Sequence, residues 1–111
     1  MSSQNMREFT DGNFQQEVLD APEPVLVDFT ATWCAPCKAL GPTIEKIAND
    51  YVGKVKVGKM DADANREVLI KYRIEALPTV VIFHKGQPVQ SLRGLRGESE
   101  YRKTLDGLAK G

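Results

Sequence analysis

The sequence predicts an α/β fold: a central mixed sheet of four to five strands, flanked by four helices on both faces. Three observations predict it. The apolar run Val25-Leu26-Val27-Asp28-Phe29 is followed by Cys37, Leu40, Ile44, Ile47, Ala48 and Tyr51 at three- and four-residue steps, which is a strand leading into a helix. A second apolar run, Val55 to Met60, then completes a βαβ unit with parallel strands. Finally, Thr79-Val80-Val81-Ile82-Phe83 and Pro88 to Arg93 are β-rich and joined by the turn Lys85-Gly86-Gln87, so the sheet closes with an antiparallel hairpin.

Taken in order, residues 1–6 are polar and expected to fray, and a short strand is expected near Glu8-Phe9. Thr10 or Asp11 is placed to cap a first helix carrying Phe14 and Val18, one turn apart. Two prolines in Asp20-Ala21-Pro22-Glu23-Pro24 end it. Val25 to Phe29 is apolar on both faces except at Asp28, the pattern of a central strand. The long helix is expected from Cys34 to Tyr51, with a kink at Pro42, which removes one hydrogen bond and clashes with the preceding turn. Asp61-Ala62-Asp63-Ala64-Asn65 is turn and cap material before a shorter helix with Val68, Leu69 and Tyr72. After the hairpin, Gly94 and Gly97 mark a break. Tyr101, Leu105 and Leu108 give a last amphipathic helix with acids at its start and Lys110 at its end, as the helix dipole favours.

The chain has 111 residues, the size of one domain spanning 1–111. Hydrophobic residues at 41% support one core without metal or additional cross-links. Fifteen basic residues balance fifteen acidic ones, so no basic field draws nucleic acid or an anionic membrane. No apolar run approaches the length of a membrane span. The first residues lack the apolar segment of a secretory signal. The expected location is therefore cytoplasmic, or an organelle stroma or matrix if a transit peptide was removed.

Both cysteines, the single tryptophan and a proline fall in Trp33-Cys34-Ala35-Pro36-Cys37, where the first long strand ends and its helix begins. A helix N-terminus offers unpaired N–H groups and partial positive charge, which favour thiolate over thiol. The C-x-x-C spacing lets the sulfurs meet across one turn, and Pro36 suits a first helical turn. A zinc site needs four ligands, and beyond the two cysteines the chain offers only His84, far away in sequence. A purely structural disulfide across so short a loop would add little stability. A redox-active dithiol is the reading that remains, with Trp33 shaping the rim.

Val27-Asp28-Phe29, Trp33-Cys34-Ala35-Pro36-Cys37-Lys38, Tyr72-Arg73-Ile74, Leu77-Pro78-Thr79 and Gly94 together resemble the thioredoxin family, in its order and spacing and over nearly the whole chain. The resemblance implies the thioredoxin fold and a protein disulfide oxidoreductase that carries electrons in cell redox homeostasis. Cys34, nearest the helix end and expected to be exposed, is the attacking thiolate; Cys37, facing the core, resolves the mixed disulfide. Asp28 reads either as a salt-bridged or edge acid or, by resemblance, as a buried carboxylate behind Cys37 that moves its proton. A buried carboxyl has a raised pKa and so suits a base near neutral pH. By the same resemblance Lys59 lies close to Asp28, and Pro78 is a cis proline beside the sulfurs. Trp33, Ala35, Pro36, Leu77, Pro78 and Gly94 would form the docking surface, with the Leu77 backbone pairing with substrate.

Two departures stand out: Ala35 replaces the family's usual glycine, and Thr30 stands where many members carry tryptophan, with Thr32 in place of an acid. They bear on potential and partner preference rather than on reaction class. The family implies no bound cofactor beyond the redox-active disulfide. Electrons would come from a thioredoxin reductase, NADPH/FAD-dependent or ferredoxin-linked. Recipients would be proteins such as peroxiredoxins, ribonucleotide reductase and methionine sulfoxide reductases. A monomer is expected. The competing readings are a non-catalytic binding or scaffold module, and an oxidant or isomerase of the same fold.

Overall fold

A computed structural model describes residues 5–110. Five strands form one sheet in the order β1-β3-β2-β4-β5: β1 (Met6–Phe9), β2 (Val25–Thr30), β3 (Lys56–Asp61), β4 (Thr79–His84) and β5 (Gln87–Arg93). The strands β1, β3 and β2 run parallel, while β4 is antiparallel to β2 and β5 to β4. The α-helices are α1 (Ala35–Asp50), α2 (Arg66–Lys71) and α3 (Glu98–Lys110).

β2 is the centre of the sheet and is buried along Val25 to Phe29. Its side chains alternate between two cores. On one face Leu26 joins Ile44, Ile47, Val57, Ile82, Tyr101 and Leu105, which seats α1 and α3. On the other, Val25, Val27 and Phe29 join Phe9, Phe14, Val68 and Phe83, with Phe14, Tyr72 and Phe83 in edge or tilted ring contacts. A buried side chain of this size contributes about 1.5–3 kcal/mol, so both faces are held mainly by apolar burial. Lys85 and Gly86 both have positive φ, 54° and 79°, the backbone of a tight two-residue hairpin turn that glycine adopts without strain.

Three expectations about the N-terminal third need correcting. Residues 1–4 of the expected frayed segment lie outside the described residues, but Met6 is paired with Val57 in β1. The first helix is a single π-helical turn, Gln15–Leu19, rather than an α-helix; with α1, α2 and α3 it makes four helices among the described residues. Its wide ring closes where the Asp20 N–H donates to the Gln15 carbonyl at 2.9 Å, and Pro22 prevents continuation. The third correction concerns the cap. Thr10 and Asn13 exchange hydrogen bonds, each backbone N–H donating to the other's side-chain oxygen. The Asp11 carboxylate instead accepts from the backbone N–H groups of Glu67 and Val68, at the start of α2. It therefore caps a helix more than fifty residues away.

Candidate active site

The dithiol lies beyond the carboxyl end of β2, the end of a central strand where α/β folds place their chemistry. β2 finishes at Thr30, and the short loop through Ala31 and Trp33 delivers Cys34 as the N-cap of α1. Ala35 and Pro36 occupy the first turn, where the missing proline N–H removes no helical bond. Cys34 and Cys37 form a disulfide with Cα atoms 5.2 Å apart. The Cys37 N–H points at Cys34 Sγ, 3.2 Å away. This is the unpaired donor that a helix start presents to a negative group. α1 continues through Pro42 as one helix.

Cys34 differs from the expectation that it is exposed: in the disulfide it is 5% exposed and Cys37 3%. Ala31 and Leu77 pack against the two cysteines. Around them, Trp33, Ala35 and Pro36 are exposed, Leu77 and Gly94 are half-buried, and Pro78 is buried. Pro78 therefore supports the rim without contributing open surface. The Leu77–Pro78 peptide bond is cis. The Pro78 carbonyl accepts the Gly94 N–H at 2.8 Å. Gly94 has φ 79°, a left-handed conformation that favours glycine where the chain turns out of β5. The Trp33 indole N–H donates to the Asp63 carboxylate at 2.7 Å, which fixes the ring above the loop.

Asp28 sits on β2 between Lys59 of β3 and Val80 of β4. It is 4% exposed, and its Oδ1 has no hydrogen-bond partner among the described residues. Neither an edge position nor a salt-bridged acid describes it. Burial pushes its pKa up to about 7, while the positive charge of Lys59 pulls it down. Asp28, Cys37, Lys38, Lys59, Thr30 and Gly41 all line one cavity of about 560 Å³. The structure thus brings Asp28, Lys59 and Cys37 together beneath the disulfide. The small Thr30 and Gly41 leave that space open.

Tyr101 belongs to the same neighbourhood and was read in the sequence only as core. It is fully buried on α3, and its hydroxyl also has no hydrogen-bond partner among the described residues. Its pKa is pushed up to about 12, first by burial and then by the charge of Asp28. Nothing in the three- to four-residue periodicity of α3 distinguishes this tyrosine from a phenylalanine. Only its position above Asp28 does.

A mixed sheet with a C-x-x-C disulfide at the head of the helix after its central strand defines a thiol–disulfide oxidoreductase. Comparison with known proteins names the family. The family model described as Thioredoxin matches residues 5–107. Thioredoxin C-2 of Corynebacterium nephridii is 44% identical over 97 residues, covering 87% of this chain and 90% of that protein. Thioredoxin 1 of Nostoc sp. is 44% identical over 97 residues, covering 87% of this chain and 91% of that one. The bifunctional thioredoxin reductase/thioredoxin of Mycobacterium leprae is 40% identical over 101 residues, or 91% of this chain and 22% of that one. The chain belongs to the thioredoxin family, and it is a protein disulfide oxidoreductase with a redox-active Cys34–Cys37 disulfide. Among the described residues no helix is long and apolar enough to cross a membrane.

Proposed function

We propose that the chain acts as a single-domain, monomeric electron carrier that reduces protein disulfides in the cytoplasm, with Cys34 as nucleophile and Cys37 as resolving thiol. The observation that carries this reading is the shared geometry of the pair. Cys34 caps α1 under a donated N–H, while Cys37 opens onto the cavity of Asp28. A thiolate at Cys34 is favoured by that N–H and by the helix start. It attacks one sulfur of the substrate disulfide. A Cys34–substrate bond forms, the substrate S–S bond breaks, and the departing thiolate takes a proton from water. Asp28, ionised, then accepts the Cys37 proton, and Cys37 attacks Cys34 Sγ. The Cys34–Cys37 disulfide forms and the second substrate thiolate leaves.

A carboxyl with a pKa of about 7 suits that proton transfer near neutral pH. Lys59 acts on Asp28 by holding its pKa down from where burial alone would set it. Trp33, Ala35, Pro36, Leu77 and Gly94 form the docking rim, and Pro78 packs beneath it. The dithiol is regenerated by a thioredoxin reductase, NADPH/FAD-dependent or ferredoxin-linked; the Mycobacterium leprae relative, named for both activities, supports a thioredoxin reductase as the donor. Substrates of the peroxiredoxin, ribonucleotide reductase and methionine sulfoxide reductase classes fit such a carrier. The test is reduction of insulin by dithiothreitol with each single-cysteine variant. Cys34→Ser is expected to abolish catalysis, and Cys37→Ser to accumulate a mixed disulfide. Unimpaired turnover in both would refute the assignment.

A further inference from the structure

Beside the dithiol a groove of about 710 Å³ runs from Trp33 along α2 to Leu77. Its floor is apolar. Ile70 is 72% exposed, Leu69 and Leu77 are half-buried, and Trp33 is 68% exposed. Arg66 opens α2, Ile70 lies one turn further along it, and Arg73 follows just beyond its C-cap. Both arginines are exposed and line the groove.

The charges in this groove are unevenly satisfied. Asp63 accepts the Trp33 indole N–H, and Glu75 lies 3.6 Å from Arg93. Arg66 and Arg73 make no ion pair or side-chain hydrogen bond with any described residue. Arg73 also has φ 55°. It directly follows Tyr72, the residue that caps α2, a position where helices ordinarily turn left-handed on glycine or asparagine. A long side chain there strains the backbone by roughly 1 kcal/mol. The strain leads to an unpaired guanidinium at the wall of the groove. Nor does the chain attract anions as a whole, since its fifteen basic and fifteen acidic residues cancel. Within the groove Arg66 and Arg73 stand beside two acids, Asp63 and Glu75, whose hydrogen bond and ion pair go to Trp33 and Arg93 rather than to these arginines.

From this we infer that the groove seats an extended acidic segment flanking the disulfide of the substrate protein, with Arg66 and Arg73 selecting for it. The inference rests on the disulfide-reductase reading and adds a substrate class to it. An apolar side chain of the segment covers Leu69 and Ile70, and its carboxylates meet the two guanidiniums on either side.

The test uses two synthetic disulfide-closed peptides of identical cysteine spacing. One carries Leu and Glu residues on both flanks, the other Leu and Lys. With dithiothreitol as electron donor, kcat/KM for the acidic peptide is expected to exceed that for the basic one by roughly five- to tenfold, the scale two exposed ion pairs supply. The ratio is expected to collapse toward unity at about 0.5 M salt, where exposed charges are screened. The double variant Arg66→Glu, Arg73→Gly is expected to lose or invert the preference. Arg73→Gly alone is expected to weaken the preference while unfolding at equal or higher denaturant. Equal rates for the two peptides, a preference for the basic one, or a preference that survives the double variant would each overturn the inference while leaving the reductase reading intact. Reduction of neither peptide would overturn both.

Discussion

Replacing Asp28 with asparagine removes a titration that the fold makes unfavourable. In the unfolded chain the carboxyl ionises around its ordinary pKa of 3.8; in the folded protein burial holds the proton on until about pH 7. Between these values the unfolded state is charged and the folded state is not. Stability must therefore fall as pH rises from the first value to the second, and the whole penalty is in place above about pH 7. At roughly 1.4 kcal/mol per pH unit, the interval corresponds to about 4 kcal/mol. The asparagine amide also brings two N–H donors into this buried site where the protonated carboxyl has one O–H, so one more donor is left without a partner. That costs about 1–3 kcal/mol at every pH, so the net gain at neutral pH is smaller than the difference in slope. Urea unfolding of the disulfide form, followed by circular dichroism from about pH 4 to pH 8, separates the two contributions. The stability difference between Asp28→Asn and the parent is expected to grow by up to about 4 kcal/mol across that range. Resolution of a Cys34 mixed disulfide is expected to slow in the same variant. Parallel stability curves would refute the buried-carboxylate argument.

Three further outcomes test the supporting architecture. Asp11→Ala leaves the Glu67 and Val68 N–H groups without their carboxylate, and is expected to cost about 1 kcal/mol of unfolding free energy by urea titration; no loss would show that water caps α2 equally well. Gly41 lies inside α1, and a Cβ there would meet nothing within 4 Å. Gly41→Ala should raise stability by about 0.5–1 kcal/mol, whereas destabilisation would mean that the cavity beside Asp28 must stay open. Tyr101→Phe removes a buried hydroxyl that has no partner among the described residues. It should be neutral or stabilising by about 1 kcal/mol in thermal melts, and a marked loss would reveal a hydrogen bond to an ordered water.

The strand–helix unit that carries the dithiol was readable because two signals coincide there: an apolar run, then apolar residues at helical spacing from Cys37 to Tyr51. The hairpin was readable because two β-rich runs flank the short glycine-containing turn Lys85-Gly86-Gln87. The Asp11 cap was not, because its partners lie on α2, and local sequence carries no trace of contacts across more than fifty residues. Phe14 and Val18 fit an α-turn and a π-turn equally well, so apolar spacing could not tell the two apart. At the site, the motif identified Cys34 and Cys37, but the packing of Leu77 on the pair comes from the loop before β4, the strand next to β2, about forty residues along the chain. Asp28 stood open between an edge or salt-bridged acid and a buried carboxylate until the central position of β2 placed it in the interior, without an ion pair among the described residues. Arg73 reads as an ordinary charged residue until its φ is known.

The most direct test of the central claim is the equilibrium of the Cys34–Cys37 couple in defined glutathione and dithiothreitol buffers, read by the fluorescence of Trp33 beside the sulfurs. A thioredoxin-type reductase is expected to hold a strongly reducing couple, below the roughly −200 to −230 mV of glutaredoxins. That result would also show that Ala35 changes little. A couple at or above roughly −180 mV, the range of isomerases and oxidants, would contradict the assignment as a reductase.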